Sequence, residues 1–356
     1  MKKLNQNLNQ NVQQLFFGAL ALLASEASAL KVLSYNVQNL FDTVDNPKTN
    51  DEEFTPQGAQ AWTERVLKDK IKNLGKVISA ESPDIIAVQE VENQAILERL
   101  TKEGLKKQGY VATLAGPSDD LRGIRNGIIS RFPIASTKSH RVWRESWAAP
   151  GEKPMFTRDI LEVTLATPNH EVTVLVSHWP SRKGGAAREV VRLEVAEQMT
   201  AIIEGIVRDN PKRLVISLGD FNDELENNSF VKGLKMVSKA SDLATAPLGS
   251  VFATDSELSG LSDEQSGTFF FHPAKEWNRF DHILISQGSQ LASGSSPGFQ
   301  YRLGSMRIVR PAAFMLEGKY PTGCEIVPGA QTGRSKLGCA GGASDHLPVL
   351  AEFDYK

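Results

Sequence analysis

Apolar runs of strand character recur along this chain, and each one ends in, or begins from, a specific polar side chain. Leu33-Ser34-Tyr35 leads to Asn36, and Ile85-Ile86-Ala87-Val88 leads to Glu90. Val174-Leu175-Val176 leads to His178, and Val215-Ile216-Ser217-Leu218 leads to Asp220 and Asn222. Asp281 and His282 precede Ile283-Leu284-Ile285, and Asp345 and His346 precede Leu347-Pro348-Val349. A single Asp after a strand is ordinarily a turn or a helix cap. Charges at buried strand ends are costly unless paired or liganded. Repetition at all these junctions points to one shared sheet edge, where carboxylates, amides and imidazoles converge as they do in a catalytic site.

The runs at 30–37, 84–91, 127–134, 160–167, 171–178, 214–218, 280–286 and 347–353 read as strands. Trp62, Val66, Leu67, Ile71, Leu74, Val77 and Ile78 repeat at helical spacing; 94–107 reads as a second helix and 189–208 as a long amphipathic one. Segments 42–60, 144–157, 241–267 and 318–343 are long loops rich in Gly, Pro, Ser and Asp, a length that usually accompanies function or mobility. With no internal repeat and no break in composition, the pattern predicts one α/β domain over 30–356, helices covering β-sheet faces.

Residues 1–29 read as a signal peptide: Lys2 and Lys3, an apolar run from Leu15 to Ala24, and Ala27-Ser28-Ala29 as the cleavage site. A run this short cannot span roughly 30 Å of hydrocarbon. The mature chain is therefore expected in the periplasm or outside the cell, as a monomer without stable membrane association. In an oxidising compartment the two cysteines, Cys324 and Cys339, are expected to form a disulfide across a Gly-rich loop. On the chain-entropy argument, closing a loop of that length stabilises by about 3 kcal/mol.

The formal net charge is -2, so no general basic field is present. A nucleic-acid substrate would have to be held by local cations and a bound metal. Arg182, Lys183 and Arg188 form the one cationic cluster beside the motifs; they read as substrate-phosphate contacts, with ordinary solvated surface as the alternative. Oxygen ligands without a His-x-His or His-x-x-x-His pair suit Mg²⁺, with Mn²⁺ as a substitute, rather than zinc. His140 and His170 fall in loop or turn contexts and are expected to be solvated. His272 reads as structural, and His282 should face away from Asp281 across its strand. Trp179 and Trp277 suit base stacking or sheet packing.

Together, Ser-Tyr-Asn36-Val-Gln-Asn, Val-Gln-Glu90, Ser-His178-Trp-Pro-Ser, Gly-Asp220-Phe-Asn222, Phe-Asp281-His and Ser-Asp345-His346 resemble the ordered motifs of the endonuclease/exonuclease/phosphatase superfamily. The resemblance spans about 31 to 354 and implies a DNase I-like, four-layered α/β sandwich: two central, mostly antiparallel sheets flanked by helices. It implies Glu90 as the principal metal carboxylate, with Asn36 beside it and Asp345 on the metal side. Asp220 would orient or deprotonate the attacking water, Asn222 would position the phosphate, and Asp281 would pair with His346. His178 matches a catalytic histidine and Arg158 a phosphate-contacting arginine. Asp220, His178 and His346 are all candidates for the base. Gln38 departs from the pattern where relatives carry an acid, which favours one metal over two. No acid partner for His178 is evident, and Asn126 is a candidate neighbour. The reading that follows is a secreted nuclease resembling bacterial extracellular members. Its rivals are a phosphatase or phospholipase acting on inositol phosphates or sphingomyelin, and a non-catalytic binding module.

Overall fold

The computed structural model describes residues 29–142, 157–287 and 298–355, apart from 169, 184, 317–319, 322 and 324–341. The signal-peptide segment up to residue 28 and both cysteines, Cys324 and Cys339, lie outside the described residues.

The strands run in chain order β1 (Leu30–Leu40), β2 (Ile85–Val91), β3 (Ala112–Ala115), β4 (Arg125–Ser130), β5 (Ile134–His140), β6 (Ile160–Ala166), β7 (Glu171–His178) and β8 (Leu214–Asp220). They continue as β9 (Val251–Ala253), β10 (Phe269–Phe271), β11 (Glu276–Asn278), β12 (Asp281–Ser286), β13 (Phe299–Tyr301), β14 (Arg307–Ile308), β15 (Met315–Leu316), β16 (Tyr320–Pro321) and β17 (Val349–Tyr355). Two large sheets result. The first has the order β13-β17-β1-β2-β4-β3, with β14 also on β17; the second has the order β5-β6-β7-β8-β12-β9. Every pairing is antiparallel except one in the middle of each sheet, β1 with β2 and β7 with β8.

Those two parallel pairs decide where the polar groups go. Parallel neighbours end at the same sheet edge, so Asn36 and Glu90 leave the first sheet together, and His178 lies opposite Asp220 in the second. The antiparallel β12 starts at that edge, with Asp281 opposite Asp220, and β17 starts beside Ser34 of β1.

Period-two alternation explains the layers. Val32, Ile85, Ala87, Val174, Val176, Ile216, Leu218 and Ile283 point between the sheets and form one buried cluster. Their alternates in the first sheet, Leu33, Tyr35, Ile86 and Val88, pack on helix α1 (Glu64–Glu81) through Leu67, Ile71, Leu74 and Ile78. In the second sheet, Leu175, Val215 and Leu284 pack on helix α2 (Ala186–Asp209) through Val191, Val195, Met199 and Ile203. Each such fully buried side chain contributes about 1.5–3 kcal/mol. Thr63 caps α1 by accepting from the Val66 amide. The outcome is the expected four-layered sandwich.

Several local expectations are corrected. The 127–134 run is two strands, because Phe132-Pro133 separates β4 from β5. The 241–267 loop contains β9, the edge strand of the second sheet. The 94–107 helix tightens only over Gln94–Arg99 and widens into a π-turn at Leu100–Gly104. His140 ends β5 and sits 2.6 Å from Glu162, so it is a paired strand residue rather than a solvated loop one.

Candidate active site

Asp220 is the hub of the cluster. It is 2 % exposed, and its Oδ2 accepts from Asn36 Nδ2 at 3.0 Å. The same oxygen lies 3.4 Å from His178 Nε2 and 3.9 Å from His346 Nε2. Its Oδ1 accepts from the backbone amide of Asn222 at 3.0 Å. Alternation aims these groups: Asn36 follows Val32, His178 follows Val174 and Val176, Asp220 follows Ile216 and Leu218, and Asp281 precedes Ile283 on the same face.

Glu90 reaches the cluster differently. Continued from Ile86 and Val88, strict alternation would point it at α1. The pairing of β2 with β4 shifts register after Val88, that of β1 with β2 shifts after Asn36, and Glu90 has φ 65°. This bulge swings the carboxylate between the sheets, where Oε1 lies 3.4 Å from Asn36 Nδ2 and 3.9 Å from His178 Nε2. Its Oε2 accepts from the Asn39 amide at 2.9 Å. Gln38, Asn39 and Asn222 are also left-handed, at φ 51°, 47° and 52°. Left-handed backbone at non-glycine residues is costly, and four of the nine such residues among those described lie at this site.

The remaining pieces are held from behind. His346 Nδ1 is 2.8 Å from Asp281 Oδ2. The Ser344 hydroxyl donates to the Asn36 carbonyl at 2.7 Å and accepts from the His346 amide at 3.1 Å, clipping the C-terminal turn to β1. From α1, Lys70 and Asn73 donate to the carbonyls of Ala343 and Gly342 and fix the approach to Asp345. Neither Lys70 nor Asn73 stands in a legible motif, and Ser344 was legible only as part of Ser-Asp-His.

Gly219 is what lets β7 and β8 meet at this edge. Its φ is +146°, and a methyl group there would sit 1.8 Å from the Ser177 carbonyl oxygen, a backbone atom with nowhere to go. Gly219→Ala is expected to cost about 1–3 kcal/mol or more, several degrees in the thermal midpoint, and to part His178 from Asp220. A melting curve like that of the wild type would contradict this.

Electrostatics separates the two histidines. Burial depresses the His178 imidazole, and the Arg158, Arg122 and His346 cations push it further down, so it is held neutral. Burial would depress His346 too, but Asp281, Asp220 and Asp345 more than reverse this and hold it well above the usual histidine range. The Asp220 carboxyl is pushed up to about 7 by burial, with Asp281 and Glu90 adding to the rise and His346 and Asn36 opposing it. Burial and the nearby Glu90 raise Asp345, against His346 and Lys70.

Mutually repelling carboxylates on hard oxygen donors fit a divalent cation. Among the described residues no group of three or more His, Cys, Asp or Glu side chains is placed to hold a metal ion by itself. Mg²⁺ does not need one: it usually keeps several waters and takes one or two carboxylates. Glu90 and Asp345, with Asn36 beside Glu90, are the residues that could offer such ligands.

The other sequence candidates are spread around this centre. Asn222 Nδ2 donates to the Trp179 carbonyl at 3.1 Å. Arg158 donates from Nε to the His178 carbonyl at 3.1 Å, and from Nη2 to the Trp179 carbonyl and Nη1 to Asp120, both at 2.8 Å. Arg182 donates to the Asn222 carbonyl at 3.1 Å and lies over the Phe280 ring, while Lys183 is exposed. Asn126 spans the sheets, donating to the carbonyls of Asp159 and Val176. His178 Nδ1 is buried without a hydrogen-bond partner among the described residues. Trp179 is fully buried against Phe221 and Phe230, which leaves no face for a base. His282 does face away from Asp281, bonding Asp255 and the Asp223 carbonyl.

No curated protein matches the chain in sequence at a significant level. Among solved structures, D. rerio TDP2 complexed with single strand DNA product superposes with a TM-score of 0.53 at 18% identity, covering 92% of this chain and 99% of that one. An endonuclease/exonuclease/phosphatase family protein from Bacteroides thetaiotaomicron gives 0.52 at 17%, covering 92% and 95%. The human Nocturnin catalytic domain with bound sulfate anion gives 0.50 at 16%, again covering 92% and 95%. At such identities these likenesses establish the fold alone. The sequence model of one family, however, matches residues 31–354. By that match, this chain belongs to the endonuclease/exonuclease/phosphatase family.

Proposed function

We propose that the chain is an exported, Mg²⁺-dependent phosphodiesterase with nucleic acid as its substrate. One observation carries this reading: the carboxylate of a buried Asp220 lies 3.4 Å from His178 Nε2 and 3.9 Å from His346 Nε2, beside Glu90 and Asp345. The leader-like N-terminus supports export. The family supports phosphate-ester hydrolysis, and the D. rerio TDP2 complex with a single strand DNA product makes nucleic acid the first substrate to try.

A phosphodiester repels nucleophiles and has a poor leaving group. A cation held by Glu90, Asp345 and Asn36 would neutralise the phosphoryl oxygens and the developing charge. Asp220 acts as the base, because a carboxyl near 7 is ionised often enough at neutral pH to accept a water proton and is basic enough to keep it. His346, kept cationic by Asp281, donates to a phosphoryl oxygen. His178, depressed by burial and 3.4 Å from Asp220 through Nε2, is too weak a base to compete. Asn222 and Arg182 line the approach.

The carboxyls also make a prediction that does not involve turnover. A raised acid stabilises the fold fully below its unfolded value and loses that contribution as pH rises through about 7. Asp345, the carboxyl offered to the cation, is likewise raised by burial, and a divalent cation prefers it ionised, so the cation stabilises more as pH rises. The thermal midpoint is expected to rise with millimolar Mg²⁺ by several degrees at about pH 8 and by little at about pH 5. Equal gains at both would contradict the assignment.

The substrate reading is tested by incubating the purified mature protein with plasmid, single-stranded DNA, RNA, sphingomyelin and inositol phosphates, with Mg²⁺ and with chelator. Mg²⁺-dependent cleavage of DNA or RNA is the expected result. Cleavage confined to sphingomyelin or inositol phosphates would overturn it in favour of a lipid or sugar phosphoesterase.

A further inference from the structure

Arg158 resembles a phosphate-contacting arginine, yet its guanidinium is occupied by two backbone carbonyls and Asp120. What Asp120 does with its other oxygen matters more. Oδ1 accepts from the backbone amide of Arg122 at 2.9 Å, and the Asp120 carbonyl accepts from Gly123 at 2.8 Å. Ser118 donates to the Ile124 carbonyl, and Asn50 to that of Leu121. The 118–124 turn is thus pinned at both ends and in the middle, and Arg158 ties it to the end of β7.

This turn presents Arg122 to the site. Its Nη1 donates to Asn39 Oδ1 at 3.3 Å, and the Asn39 amide in turn holds Glu90. Its charge is felt by the buried His178. Its side chain is 42% exposed, and its one carboxylate neighbour among the described residues, Asp120, is 4.0 Å away at Nε. Within the site it therefore combines a fixed base, an open guanidinium and only weak competition for its donors. A phosphate has the matching geometry, since the guanidinium fork takes two of its oxygens at once.

We propose that Arg122, rather than Arg158, is the arginine that binds the substrate's phosphate, on the Glu90 side of the site. This rests on reading the site as a phosphodiester centre. Arg158 then acts as the brace that positions the turn, which explains why its donors all face backbone or Asp120.

Inorganic phosphate is the probe. Its affinity for the full mature protein with Mg²⁺ is measured by titration calorimetry for the wild type, Arg122→Gln and Arg122→Lys. Arg122→Gln is expected to weaken phosphate binding about tenfold or more, the size of a lost charge-assisted pair. Arg122→Lys should fall between, keeping the charge and losing the fork. Both variants should melt like the wild type, since the side chain is half exposed. Unchanged affinity in Arg122→Gln, or no phosphate binding by the wild type, overturns the proposal. Arg122-dependent phosphate binding by a wild type that cleaves no phosphodiester would uphold Arg122 and sink the functional reading instead.

Discussion

Glu90→Gln is expected to lower kcat by about 10³-fold or more, because a bound Lewis acid is worth several kcal/mol at the transition state. The amide keeps the shape of the carboxylate and can still accept from Asn39, so the bulge that carries it should survive. What it loses is the charge that would attract Mg²⁺ and that pushes Asp345 up. The Mg²⁺-induced rise in thermal midpoint should vanish with the activity, while the chelated variant melts at least as high as the chelated wild type. Near-normal turnover at low millimolar Mg²⁺ would remove Glu90 from the metal site.

The second large effect concerns the Asp281–His346 pair. At 2.8 Å, fully buried, the carboxylate fixes the ring through Nδ1 and keeps it charged, leaving Nε2 towards Asp220. Asp281→Asn removes the charge and lets burial drag the imidazole down; His346→Ala removes the donor. Each is expected to cost several powers of ten in kcat/KM, and the double variant little more than His346→Ala alone, because groups acting as a unit are not additive. Losses that multiply would mean independent roles. The pair also has a stability signature. A histidine raised by its partner stabilises fully below its unfolded value and loses that contribution as pH rises through the folded one. Removing Asp281 should thus cost more stability in mild acid than at high pH.

Where alternation holds, placement was legible. Asn36, His178, Asp220 and Asp281 each continue the inward face of an apolar run, so run and side chain together place them at one edge. Glu90 was legible as a motif but not as geometry, since alternation sends it outward and only a bulge with a left-handed residue returns it. The edge strands β3, β5, β9 and β13 were not legible. They are short or, like Ile134–His140, polar on both faces, because an edge strand buries little. Trp179 could not be placed by composition, since stacking and packing ask for the same ring. Nor could the partners of Arg158 and Arg122, which depend on how one turn meets the end of a distant strand.

The central claim is that the groups around Asp220 form one centre that adds water to a phosphodiester. Hydrolysis of a chromogenic phosphodiester with Mg²⁺ in ¹⁸O-labelled water, by the wild type and by Asp220→Asn, tests it most directly. The wild type is expected to place one labelled oxygen on each phosphate product as the phosphorus–oxygen bond to the leaving group breaks. Asp220→Asn is expected to yield about a thousandth as much product or less. Unlabelled phosphate product, or undiminished turnover by Asp220→Asn, would contradict it.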